Sequence, residues 1–287
     1  MKKLILIFFS VISLCCVGQP YVPNDTITYK HTKQGDLRLF VFYPDNKNID
    51  LQRPVVISFF GGGWVGGSPK QFYPECAYYA SHGIVGISAE YRVMKKHHTT
   101  PFECVKDGKS AVRWVRIHAK ELGIDSDKIV TGGGSAGGHV AACTGIIKGY
   151  EEEGEDLSVS SVPNAMILFN PVLNTTKDGY GADKLKGKET LISPNHHIGA
   201  NIPPTLECHG TDDHTVPFAN AVNFAKKMKD AGNICKLVPF KGFDHGFFNP
   251  VFIKSGNKND INFNKCMKET IEFLSKYLTP KFRKEDL

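Results

Sequence analysis

The feature that most limits what this chain can become is a set of short, continuously apolar runs set between helix-length segments. Residues 54–60 read Pro-Val-Val-Ile-Ser-Phe-Phe, and 84–90 and 165–169 are runs of the same kind. A strand covered by helices on both faces is apolar throughout, whereas a half-exposed strand alternates. Between the runs, helices are predicted over 70–82, 104–122 (closed by Gly123), 136–148, 219–231 and 261–278. Further strands are predicted at 205–208 and 235–239, and an opening hairpin pairs 26–30 with 37–43 across Gln34-Gly35-Asp36. Strands alternating with helices imply βαβ units and a mostly parallel sheet, hence the α/β class. Neither a linker-like stretch nor an internal repeat divides the 287 residues, so residues 19–287 are expected to form a single domain.

Residues 1–18 are read separately. Met1-Lys2-Lys3 is positive, residues 4–14 are apolar, and Cys16-Val17-Gly18 places small residues where a signal peptidase would cut before Gln19. The apolar run is too short for a spanning helix, so export without stable membrane insertion is expected, to the periplasm or outside the cell. A lipoprotein signal ranks second, because the residues before Cys15 and Cys16 are not the usual small ones. Removal of the leader leaves six of the eight cysteines, most of them inside apolar segments, where buried thiols are the expected state. The formal charge of +6 is spread along the chain with no basic stripe, so no nucleic-acid partner is expected. No Cys or His spacing suggests a metal site.

One stretch carries chemistry. After the β-branched run Ile129-Val130-Thr131, the chain reads Gly132-Gly133-Gly134-Ser135-Ala136-Gly137-Gly138, and Gly133 to Gly137 match G-x-S-x-G. A serine held on a tight strand-to-helix turn exposes its hydroxyl, and only glycine fits two positions to either side. The helix that follows aims its N-terminal N–H groups at the reacting oxygen. Such a serine needs a base, and the base needs a carboxylate. Asp212 and Asp213 follow one predicted strand and His245 follows the last, in the order serine, acid, histidine. Phe60 is followed by Gly61-Gly62-Gly63-Trp64 at the end of an earlier strand. Gly61 to Gly66 also imitate the dinucleotide fingerprint, but Ser68-Pro69 and Pro74 interrupt where its helix would run.

Four segments together (60–64, the elbow, 210–217 and Asp244-His245-Gly246) resemble the α/β-hydrolase superfamily. The likeness is to its esterase/lipase branch, near hormone-sensitive-lipase-like and bacterial carbohydrate esterases, and it extends over nearly all of residues 19–287. The resemblance implies a mostly parallel central sheet flanked by helices. It makes Ser135 the nucleophile, Asp213 the acid and His245 the base, with an oxyanion hole from Ala136 N–H and the loop at Gly62 and Gly63. Phe60 departs from the pattern, since many members carry histidine there. No cofactor is implied.

Residues 171–202 look too short and polar for a large lipid-binding cap, so a minimal cap is expected. The expected activity is therefore that of a secreted serine esterase on short-acyl esters, acetyl or feruloyl in type. Its substrate would be a small-molecule or plant-polysaccharide ester. Trp64, Tyr91 and Phe247 are candidates for a sugar-stacking wall and equally for core packing. A peptidase or amidase of the same fold, or a lipase-like esterase on non-carbohydrate esters, is the alternative. A non-catalytic binding module would have lost a triad residue, and none is missing.

Overall fold

The computed structural model describes residues 21–44, 49–250 and 258–278. The expected leader at 1–18 and its cleavage point lie outside these residues. The described strands are β1 (Asp25–Thr32), β2 (Gly35–Phe42), β3 (Arg53–Phe59), β4 (Val85–Ala89), β5 (Ile124–Gly134), β6 (Ala165–Phe169), β7 (Thr205–Gly210) and β8 (Cys235–Phe240). They form one sheet in the order β1-β2-β4-β3-β5-β6-β7-β8. The β1–β2 hairpin and the β2–β4 pair are antiparallel; every other neighbour pair is parallel. The helices are α1 (Tyr73–Ser81), α2 (Met94–His97), α3 (Pro101–Ile117), α4 (Ala136–Ile146), α5 (Phe218–Asp230) and α6 (Lys258–Tyr277).

Burial follows the sequence pattern. Every residue of β4, β6 and β7 is buried, as is all of β3 after Arg53, while β8 at the edge alternates. Two helix starts differ from expectation, and proline is the reason. Residues Pro69–Phe72 form a separate 3₁₀ turn capped by the Ser68 side chain, and α1 begins only at Tyr73 with Pro74 in its first turn. A proline in the first turn lacks an N–H that would have no partner anyway, so each one opens a new element. At α3 the same rule extends the helix to Pro101, where Thr100 and Glu103 close a capping box. The six described cysteines are free and buried. Among the described residues no helix is long and apolar enough to cross a membrane.

The acidic segment 150–156 is docked by charge. Glu151 pairs with Lys109 and Arg113 of α3, Glu155 with Arg113, and Glu152 with Lys30 and Arg92. Asp107, wholly buried, takes Arg92 on one side and Lys30 on the other, both at 2.7 Å.

Candidate active site

β5 ends at Gly134 and α4 begins at Ala136, leaving Ser135 alone on the turn. Its backbone sits at φ 56°, ψ −123°, a region that side chains enter only under constraint. The constraint is visible. Ser135 N–H donates to the Phe169 carbonyl at 3.0 Å, and Ser135 C=O accepts from Val172 at 3.1 Å and from His139 at 3.0 Å. The elbow is thus bolted to the exit of β6 and to its own helix. A Cβ on Gly133 would lie 2.6 Å from Phe59 O, and one on Gly137 would lie closer still, so both positions are held to glycine by contact with the end of β3.

The loop after β3 faces this turn. Gly62 (φ 135°) and Gly63 (φ 63°) hold backbone angles that favour glycine. The Gly62 carbonyl accepts from Val65 and Gly66, closing the loop on itself, while α2 grips its far end through Met94 N–H to Trp64 O and Lys95 N–H to Val65 O, both 2.9 Å. Gln71 Oε1 takes the Gly61 N–H. The N–H groups of Gly62 and Gly63 have no acceptor among the described residues. Ala136 occupies the first position of α4, where the helix offers its N–H no acceptor either.

His245 lies in the segment after β8, and its Nδ1 donates to Asp213 Oδ2 at 2.8 Å. The other oxygen, Oδ1, accepts the N–H groups of Thr215 (2.9 Å) and Val216 (2.8 Å). Burial raises the Asp213 carboxyl, but the His209 and His245 imidazoles and the Val216 N–H outweigh it and hold it well below the usual carboxylate range. Asp212 is exposed and takes only the Thr211 hydroxyl, and Asp244 caps the N–H groups of His214 and His245. Of the neighbouring carboxylates, Asp213 alone reaches the His245 ring.

Ser135, His245, Gly61, Gly62 and Gly63 line one cavity of about 360 Å³, together with Gln71, Gly134, Asn170, Tyr180, Thr215, Gly246 and Phe248. The serine hydroxyl makes no hydrogen bond among the described residues. Asn170 Nδ2 instead lies 3.3 Å from His245 Nε2 and 3.2 Å from Nδ1. Because Nδ1 gives its proton to Asp213, the amide can donate only to Nε2.

The BD-FAE family model matches residues 39–185, and the dienelactone hydrolase family model matches 170–278. The chain belongs to the BD-FAE family of α/β-hydrolase esterases. Esterase 2 of Thermogutta terrifontis in its apo form superposes with a TM-score of 0.83 at 44% identity, covering 90% of this chain and 96% of that one. The carboxylesterase NlhH of Mycobacterium tuberculosis is 33% identical over 240 residues, 75% of this chain and 72% of its own. The acetylxylan esterase of Xylanibacter ruminicola is 27% identical over 237 residues, 77% of this chain and 45% of its own. The chain spans about half the length of the first curated relatives it matches.

Within this esterase frame, the three aromatic residues considered for a sugar-stacking wall do not line the cavity. Trp64 is 1% exposed and packs against His139 and Tyr180; Tyr91, also 1% exposed, stacks on Phe60 at 4.3 Å and donates its hydroxyl to Phe60 O at 2.7 Å. Phe247 is 3% exposed among Phe240, Phe243 and Phe248. All three are core, and Tyr91 braces the glycine loop. It does so against the phenyl ring at the position where many relatives of the resemblance carry histidine. The cavity-facing aromatics are Tyr180 and Phe248, one from the 171–202 segment and one a single residue past Phe247. Asn170 was findable in principle, since it directly follows a strand C-terminus, where functional groups of open α/β sheets collect. Gln71 carries no such signal: its place in the cavity depends on how the 3₁₀ turn folds back on Gly61.

Proposed function

We propose that the chain is an exported serine esterase, a single domain from residue 19 onward, that hydrolyses short-acyl carboxylic esters through an acyl-enzyme. The observation that carries the reading is the 2.8 Å Asp213–His245 contact in the wall of the cavity that also holds Ser135. His245 Nε2, released from Asn170, takes the Ser135 proton as Oγ attacks the ester carbonyl. The oxyanion is met by the N–H groups of Gly62, Gly63 and Ala136, fixed before the reaction and so without reorganisation cost. Collapse expels the alcohol with the proton from His245. Water then repeats the sequence on the acyl-enzyme, with the same base.

For the substrate, two observations from relatives support short acyl groups: Thermogutta terrifontis esterase 2 has been seen with propionate and with butyrate bound. The acetylxylan esterase likeness supports acetyl esters of plant polysaccharide as the physiological class. A small non-carbohydrate ester is the second reading, favoured by the absence of Trp64, Tyr91 and Phe247 from the cavity wall. Acetate release from acetylated xylan, measured beside ferulate release from a feruloylated oligosaccharide and nitrophenyl acetate hydrolysis, tests both. Acetate release at a rate comparable to the nitrophenyl ester is expected. Hydrolysis of the nitrophenyl ester alone would overturn the polysaccharide assignment, and no hydrolysis of any of them would overturn the esterase.

A further inference from the structure

Asp213 Oδ2 touches a second imidazole. His209, the fifth residue of β7, is wholly buried, and its Nε2 lies 3.2 Å from Asp213 Oδ2 and 3.0 Å from the Val216 carbonyl. Its Nδ1 lies 3.2 Å from Glu207 Oε1, also wholly buried. Every polar atom that the two ring nitrogens meet is an oxygen acceptor. A neutral imidazole has one N–H and one lone pair, so beside an ionised Glu207 its lone pair would face an oxygen lone pair; only a proton on Glu207, whose carboxyl burial pushes up, would avoid this. A ring protonated on both nitrogens satisfies both contacts, and two carboxylates are in place to balance its charge.

We propose that His209 is a buried imidazolium that positions the carboxylate of Asp213, with Glu207 as the counter-ion that keeps it charged; this rests on the esterase reading above. Asp213 is then held on all sides. Two backbone N–H groups fix Oδ1, and Oδ2 stands between His209 and His245. His209 does not touch the reacting atoms. It acts through Asp213, by turning the carboxylate and by offsetting part of the negative charge that reaches His245. Burial lowers the His209 pKa, but Asp213 and Glu207 more than reverse this and bring it up to about 9.

The surroundings add few other charges. From β8, the Cys235 thiol faces Glu207, and Lys229 of α5 acts on that thiol. Phe218 of α5 presents a ring edge to His209. On the His245 side, the groups are Asp213, Asp244 and His214, with the neutral amide of Asn170.

Two measurements test the assignment. In the wild-type protein, long-range ¹H–¹⁵N spectra of labelled histidine should show His209 with both nitrogens protonated through neutral pH, losing a proton only near pH 9. A neutral His209 ring at pH 7, with the proton on Glu207 instead, would overturn the proposal without any variant being made. The second measurement is the pH profile of kcat/KM for the double variant Glu207→Gln/His209→Gln, which removes both charges and keeps hydrogen-bonding side chains. Losing a cation that shares Asp213 Oδ2 with His245, together with the anion that lies beyond that cation, moves the acidic limb upward by on the order of half a pH unit or more. A purely structural pair would lower Tm and leave that limb in place, which would sink the positioning role. If the wild type hydrolyses no ester, it is the esterase reading that fails, and the spectra still decide the charge on His209.

Discussion

Two ionic clusters in this molecule, each centred on a buried aspartate, are built by one rule and end differently. Around α3, Asp107 meets Arg92 and Lys30, and Glu151, Glu152 and Glu155 close the remaining contacts with Lys109, Arg113, Arg92 and Lys30. At the C-terminal end of β7, Glu207, His209, Asp213 and His245 form a row of alternating acid and imidazole. In both places, charge taken out of water has to be matched by a partner within hydrogen-bond reach. The first cluster is closed, since each acid and base in it has an opposite charge at contact. The second is open at one end. His245 reaches the cavity, where its Nε2 meets only an amide that a serine hydroxyl can displace. What separates the two clusters is not the residue types but the presence of an unmatched terminus facing a space, and the proposed catalysis rests on that terminus.

The largest effect is expected from removing the group that the open end acts upon. Ser135→Ala should lower kcat on nitrophenyl acetate by a factor on the order of 10⁵ to 10⁶, with the folded state intact by circular dichroism. Paraoxon, which phosphorylates Thermogutta terrifontis esterase 2, should add one phosphoryl adduct to the Ser135 peptide of the wild type and none to the variant. Retained activity in Ser135→Ala would place the chemistry elsewhere. Next comes the row itself. Asp213→Asn leaves the backbone N–H contacts in place but removes the acceptor that fixes the His245 tautomer, with an expected loss of up to ~10⁴ in kcat. Asp212→Asn, at an exposed residue bonded only to Thr211, should change kcat little. A reversal of the two effects would move the acid by one position.

The closed cluster should fail in a different currency. Asp107→Ala leaves the buried cations Arg92 and Lys30 with the half-buried Glu152 as their one remaining shared carboxylate, and breaking a buried pair costs up to about 3–5 kcal/mol. For a chain of this size, that corresponds to a fall in Tm on the order of 10 °C. The protein that remains folded should keep its acidic limb of kcat/KM. A shifted limb in Asp107→Ala would show that the two clusters communicate and that the distinction drawn between them is false.

How much of this could be read from the chain depends on how local the determining physics is. The elbow, the glycine loop, Asp213 and His245 were legible because each sits in a short motif whose backbone demands leave little choice of residue. The strands were legible because burial on both faces forces continuous apolar runs. The docking of 150–156 was not legible. Its acids are partnered by Lys30, Arg92, Lys109 and Arg113, which are 38 to 122 residues distant along the chain. Nothing in a Glu-rich run says that basic residues of a helix wait for it. The aromatic wall failed for a related reason. Phe247 and Phe248 are adjacent and chemically identical, and only the path of the chain after β8 decides which one meets the cavity. His209 stands immediately before the 210–217 segment picked out from sequence, but its role needed the distances to Glu207 and Asp213.

The smallest expected effect measures the opening at the end of the row. From sequence, residues Asn174, Lys177, Asp178, Asp183 and Lys184 form a polar edge that longer acyl chains would meet. The structure replaces that edge with rings, since Tyr180 is the residue of this segment that lines the cavity and Phe248 stands there with it. Phe248 leaves no slack, since a Cβ on Gly134 would come within 2.6 Å of its ring. Methylenes laid against these rings each gain ~0.8 kcal/mol, but only while the cavity has room. Its roughly 360 Å³ must hold the acyl group and part of the alcohol together. The nitrophenyl ester series should therefore peak in kcat/KM between acetate and butyrate. By octanoate the added methylenes find no wall and gain nothing, and the longer chain crowds the alcohol out of the shared volume, so kcat/KM should have fallen from its maximum. Tyr180→Ala removes one wall and should move the maximum toward longer chains while leaving acetate turnover close to that of the wild type. A wild-type rate still rising at octanoate would mean that the cavity continues past these rings. An unmoved maximum in Tyr180→Ala would mean that Phe248, not Tyr180, sets the length.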